Sequence, residues 1–163
     1  MWGCTTAQSY SNIPEIKFKD LNVEDLVDPL GETFKTAILT FSFVDGDGDI
    51  GSRKNDEDKI SKVYYTWYKQ LTDGTFDEYR FPPPGNEIEV SSEIPFDVVM
   101  DKSQAQNKVL KGTIEIKLST PRWGLDGIDI MYVEFYIKDR AGNESNRERS
   151  PEFSIKDALG IIQ

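Results

Sequence analysis

The chain contains no histidine and only one cysteine among its 163 residues. Without histidine it lacks the commonest general base, the Ser-His and Cys-His nucleophile pairs, and the usual zinc and copper ligands. Most hydrolase and transition-metal mechanisms are excluded with it. Paired carboxylates could still perform glycosidase chemistry, but acidic residues are so abundant that pairs arise by chance, and the expectation is a protein that is not an enzyme. A single cysteine cannot form an intramolecular disulfide, so packing alone must hold the fold. No apolar run is long enough to span a bilayer as a helix. Basic residues are also in the minority: 29 Asp and Glu stand against 19 Lys and Arg, a formal net charge of -10. That balance repels phosphate backbones and anionic membrane surfaces, so nucleic acid is not an expected partner.

The length suits one domain with a real core. Residues 1–12 are small and polar without periodicity and read as a tether, and the domain is expected to occupy residues 13–163. From Glu15 to Leu21 polar and apolar residues alternate with the period of a half-buried strand. Phe34 to Val44 is more continuously apolar and suits a central strand. Val63 to Tyr68 and Thr75 to Phe81 are strand-like runs joined through Asp73-Gly74, a hairpin signal. Pro82 to Gly85 ends that hairpin, because proline cannot donate to a ladder. Ile88-Glu89-Val90 reads as a short edge strand, and Asp97 to Gln106 as loop or helical turn. Gly112 to Leu118 alternates cleanly, Ile128 to Ile137 is apolar on both faces in its middle, Asp139 to Ser145 is a turn, and Ser150 to Ile155 is a last strand. Seven or eight short strands without a convincing helix argue an all-β, antiparallel β-sandwich.

Between the second and third of these runs lies Asp45-Gly46-Asp47-Gly48-Asp49-Ile50-Gly51. Aspartates at every second position gather hard oxygen ligands around a small space, as calcium requires. The alternative is an acidic solvated turn in which glycines supply positive φ and aspartates cap their own backbone. The loop resembles the calcium loops of EF-hand and dockerin-like proteins at Asp45, Asp47 and Asp49. It departs from them afterwards: Ile50 replaces the glycine of the sharp turn, Asp56 stands where a bidentate glutamate is expected, and a strand precedes the motif.

The aromatics supply other candidates. Alternate residues of the run Tyr64, Tyr65, Trp67, Tyr68 face opposite sides. Trp67 fits the place of the buried tryptophan on the third strand of immunoglobulin domains. If Tyr65 or Tyr68 faces solvent beside Tyr79, the group would make a flat platform that stacks on sugars or a partner protein. Trp123 lies in the loop-like segment from Pro121 to Gly127, where the core explains an aromatic less easily, and it is the leading single residue for an interaction site.

Two further patterns carry a resemblance. Gly3-Cys4, followed by the small polar run Thr5 to Ser9, resembles the end of a bacterial lipobox, which makes Cys4 the expected lipidation site and the membrane a partner through that anchor. The strand, Asp139-Arg140-Ala141-Gly142-Asn143, strand pattern over residues 133–150 resembles the closing hairpin of bacterial immunoglobulin-like domains. Leader, aspartate loop and hairpin in that order look like a group of small surface lipoproteins of Bacteroidetes-type bacteria, mostly of unassigned function. The resemblance implies an immunoglobulin-like β-sandwich, a cell-envelope location as an outer-membrane lipoprotein and no enzyme activity; periplasmic and surface-facing placements both fit. In such a sandwich the loop after the second strand and the loop before the last share one end, so Asp139 and Asn143 are expected to approach Asp45, Asp47 and Asp49. Calcium suits that irregular site better than magnesium, in a structural role that pins a long loop. The expected function is a non-catalytic, lipid-anchored envelope module, binding or structural, with an envelope protein or glycan as partner. The alternative is a carbohydrate-binding accessory domain that uses Trp123 and the Tyr65 to Tyr79 region.

Overall fold

The computed structural model describes residues 9–27, 29–31, 33–51, 61–79, 91–93, 109–118 and 129–154. Every regular element among them is a strand: β1 Glu15–Val27, β2 Thr33–Asp45, β3 Lys62–Gln70, β4 Phe76–Tyr79, β5 Ser91–Glu93, β6 Leu110–Leu118, β7 Ile130–Lys138, β8 Glu148–Arg149 and β9 Phe153–Ser154. One antiparallel sheet has the order β1-β2-β6. The other runs β4-β3-β7-β8, with β5 on β3 and β9 on β7. This is the order ABE opposite C′CFG of immunoglobulin-type sandwiches. The expected strands at Ile88 to Val90 and the segment Asp97 to Gln106 lie outside the described residues, as do Cys4 and Trp123.

The two-residue side-chain period builds the core. Ala37, Leu39, Phe41 and Phe43 of β2 and Ile114, Ile116 and Leu118 of β6 form the inner face of one sheet. Val63, Tyr65 and Trp67 of β3 and Met131, Val133, Phe135 and Ile137 of β7 form that of the other. Phe41 and Phe135 meet between the sheets with ring centroids 5.2 Å apart. The central strands are the most apolar in sequence because each is flanked on both sides and covered on its inner face.

The β3–β4 hairpin closes as its Asp-Gly pair suggests. Leu71 N–H donates to Thr75 O at 2.7 Å, and Asp73 Oδ1 accepts from Thr75 N–H at 2.9 Å. The last strand differs from expectation: it is broken into β8 and β9 around Ser150-Pro151. Pro151 has no N–H to give, and Ser150 fills the break with both of its polar groups. Its N–H donates to Val133 O at 2.9 Å, and its hydroxyl accepts from Val133 N–H at 3.0 Å.

Beside β8, the chain crosses to the other sheet through side chains. Asn146 Oδ1 accepts from Ile16 N–H at 2.8 Å, its Nδ2 donates to Ile16 O at 3.0 Å, and Glu148 Oε2 accepts from Phe18 N–H at 3.0 Å. These bonds fix the start of β1 to the β7–β8 connection and so hold together the end of the sandwich where β2 finishes.

Phe135 is fully buried against Phe41. Phe135→Ala is expected to cost about 3–5 kcal/mol, read in urea as a lower midpoint with an unchanged slope. A loss under about 1 kcal/mol would mean that this pair is not the centre of the core.

Candidate metal centre

The inward rows of two strands end in carboxylates. After Ala37, Leu39, Phe41 and Phe43 the next inward position of β2 is Asp45. After Ile137 of β7 it is Asp139. Both are buried. Two residues before Val63 of β3 stands Ser61, also buried. The core is therefore closed at this end by polar groups placed in the sequence by the same parity that places its apolar ones.

The loop after β2 completes the group. Gly48 and Gly51 have φ of 69° and 107°, a conformation open to glycine at little cost, and they curl the chain back over Asp45. Ile50, the residue that departs from the EF-hand pattern, is fully buried in the core cluster and nails the loop down. The Ser61 hydroxyl accepts from Gly51 N–H at 2.9 Å and lies 3.3 Å from Gly51 O, tying the loop to the approach of β3. As a result one carboxylate oxygen from each of Asp45, Asp47, Asp49 and Asp139 lies within 4.8 Å of the others. The expected convergence of the two loops is present.

Hydrogen bonds orient these carboxylates without exhausting them. Asp45 Oδ2 accepts from Asp49 N–H at 2.8 Å, and Asp49 Oδ2 accepts from Ala141 N–H at 3.0 Å. Asp139 accepts from the backbone N–H and the side-chain amide of Asn143, both at 2.8 Å. Asn143 is drawn to the site through Asp139: its amide nitrogen donates to Asp139 Oδ2 and also to Asn12 O at 3.4 Å. The remaining oxygens Asp45 Oδ1, Asp47 Oδ1 and Asp49 Oδ1 are buried with no hydrogen-bond partner. Buried polar atoms are rarely left so, because an unmet acceptor costs on the order of 1–3 kcal/mol.

Electrostatics point the same way. Burial, reinforced by the charges of Asp47 and Asp49, pushes the Asp45 carboxyl up to about 6, against an ordinary value of 3.8. Asp49 is raised by burial and by the neighbouring charges of Asp139 and Asp47. Four carboxylates in this space repel one another, and a cation removes that penalty. The donors are all oxygen, which suits a hard ion. A four-aspartate cluster able to hold a metal ion is what this end of the sandwich provides.

The aromatic candidates are separated by the structure. Tyr65 is buried beside Trp67 in the core. Tyr79 lies directly opposite Trp67 in the β3–β4 register and packs against the same core. Of the three expected platform tyrosines only Tyr68 lies on the outer face. The reason is parity: residues 65 and 68 of one strand point to opposite sides. The outer face instead carries pairs that need the β3–β7 register to be seen. Tyr64 stacks on Tyr136 at 5.1 Å and Tyr68 on Tyr132 at 4.7 Å. Arg147 covers Tyr136 at 4.3 Å, and Arg149 covers Tyr132 at 3.8 Å. The clue in the sequence was the same alternation, in Tyr132-Val133-Glu134-Phe135-Tyr136 and in Arg147-Glu148-Arg149, without the pairing that joins them.

No protein-family model matches the chain, and no curated protein matches it in sequence. Among the described residues no helix is long and apolar enough to cross a membrane. Fold and site together define an antiparallel β-sandwich with an aspartate cluster at one end.

The raised Asp45 value fixes the sign of a pH effect. Between about 4 and 6 the metal-free folded chain holds a proton more tightly than the unfolded chain, so stability falls as pH rises through that window and stays low above it. In chelator, unfolding free energy is expected to drop by about 2 kcal/mol from pH 4.5 to pH 7 through this group, and Asp45→Asn should flatten most of the change. A rise in stability over the same range, unaffected by Asp45→Asn, would contradict the buried cluster.

Proposed function

We propose that the protein is a non-catalytic module of the bacterial cell envelope, lipid-anchored through Cys4, whose sandwich is braced by calcium at the Asp45–Asp49 loop and which acts as a binding or structural component. The observation that carries the calcium part is the set of buried, partnerless oxygens on Asp45, Asp47 and Asp49 within reach of Asp139. Calcium takes six to eight oxygens in flexible geometry, and backbone carbonyls and waters would complete a shell begun by four carboxylates. Magnesium demands near-octahedral geometry and gives up water reluctantly, which fits a loop of this irregular shape less well.

The structural role follows from position. The cluster joins the loop after β2 to the turn after β7, so an ion there ties one sheet to the other. Absence of histidine from the whole chain supports a role without acid–base catalysis. The anchor reading rests on the Gly3-Cys4 junction and the polar run behind it. From such an anchor the metal end of the sandwich would lie nearest the membrane, because β1 begins there, opposite Val44 of β2.

The glycan-binding alternative has less support. Its expected platform is split between two faces, and on the outer face tyrosine rings are stacked on each other or covered by guanidinium groups. Sugar stacking needs an open ring face.

Thermal unfolding of the chelated chain, followed across a calcium titration, tests the brace. At roughly 100-fold saturation a site of this kind adds about 2.7 kcal/mol, which for this size raises Tm by roughly 5 to 10 °C. Asp47→Ala and Asp49→Ala should each abolish the rise. An unchanged Tm at millimolar calcium would reduce the loop to a solvated turn.

A further inference from the structure

Residues 10–12, expected to belong to a loose tether, rest on the metal end of the sandwich. Ser11 O accepts from Gly46 N–H at 2.9 Å, and Asn12 O accepts from the Asn143 amide at 3.4 Å. Tyr10 lies beneath Lys111 Nζ, 3.9 Å from the ring centroid, and its hydroxyl also accepts from that ammonium. Two of these three holds end on the aspartate cluster itself: Gly46 stands between Asp45 and Asp47, and Asn143 is the group that orients Asp139. The approach is close. A Cβ on Gly46 would stand 2.3 Å from Ser11 O and 2.7 Å from Tyr10 O, so any larger residue would push the leader off the loop.

We propose that cation binding by Asp45, Asp47, Asp49 and Asp139 and docking of residues 10–12 are one coupled equilibrium, in which the ion seats the leader on the sandwich and its loss releases it. The proposal rests on the calcium reading above. Without a cation, repulsion among carboxylates that share a 4.8 Å space is relieved by moving the Asp47–Asp49 loop away from the Asp139–Asn143 turn. The leader bridges those two segments. Once they part, Gly46 N–H and the Asn143 amide no longer match the spacing of Ser11 O and Asn12 O, and only the exposed Tyr10–Lys111 contact remains. The partnerless Asp45 Oδ1, on a fully buried residue, shows that the loop is shaped for something besides its own hydrogen bonds. For a chain tethered through its N-terminus, release of residues 10–12 would lengthen the tether and free the domain to reorient.

Linkage makes the effect reciprocal: whatever factor the ion adds to leader docking, the leader adds to ion affinity. Tyr10→Ala touches neither loop nor ligands, and Gly46→Ala evicts the leader by its Cβ, so each should weaken calcium binding by roughly 5-fold or more in titration calorimetry of the full chain. In a second arm, a nitroxide on Ser9→Cys in a Cys4→Ser background should be immobilised in calcium and mobile in chelator. Should Gly46→Ala fail to fold, Tyr10→Ala carries the affinity arm alone. Calcium binding with an unchanged Kd in Tyr10→Ala, or with label mobility indifferent to calcium, would overturn the coupling and leave the metal site standing. Absence of calcium binding in the native chain would instead overturn the metal reading on which it rests.

Discussion

Like charges gathered at the end of an apolar core are the constraint around which this molecule is arranged. Asp45 and Asp139 occupy positions that strand parity would give to apolar residues, and the loop brings Asp47 and Asp49 to them. Left alone, that arrangement is costly, as the raised proton affinities of Asp45 and Asp49 show. The surrounding structure holds the ends of the loop and orients its carboxylates. Ile50 is sunk in the core, Ser61 clasps Gly51, and backbone donors from Asp49 and Ala141 orient the carboxylates. Strain of this kind is usually maintained where a ligand repays it.

The same end of the sandwich organises its connections. The loop after β2 and the turn after β7 come from different sheets, and the leader lies across both. On the outer face of the β3–β7 sheet, cross-strand tyrosine pairs covered by Arg147 and Arg149 do the equivalent work, where ring stacking and cation–π contact each contribute on the order of 1 kcal/mol. One device stiffens the sandwich from within its end, the other from outside its flat face.

Much of this was legible in the chain. Alternation located β6 and the start of β1, apolar and aromatic runs located β2, β3 and β7 to within a few residues, and the aspartate spacing with strand topology brought Asp139 to Asp45, Asp47 and Asp49. What escaped was information held between strands. Tyr65 and Tyr79 look available in sequence, but the register sets Tyr79 opposite Trp67 on the core face. Tyr132 and Tyr136 look like core residues of an apolar strand, yet their partners are Tyr68 and Tyr64 on the outside. Asn143 carries the right atoms for a ligand, and the further work of its amide nitrogen in orienting Asp139 depends on how the turn folds. The break at Ser150-Pro151 escaped too: the run from Ser150 to Ile155 reads as one strand, and a hydroxyl standing in for a ladder bond depends on where β7 lies.

Asn146 and Glu148 have a consequence beyond holding the sheets together. An edge strand presents a ladder of unused donors and acceptors to any other extended chain, and this is a common route to aggregation. At the start of β1 that ladder has been filled by side chains: Asn146 meets both the N–H and the C=O of Ile16 as a neighbouring strand would, and Glu148 takes the N–H of Phe18. A second copy approaching there finds these three groups already taken, and a carboxylate guards the position. Many copies could crowd side by side without this stretch of β1 zipping them into a continuous sheet.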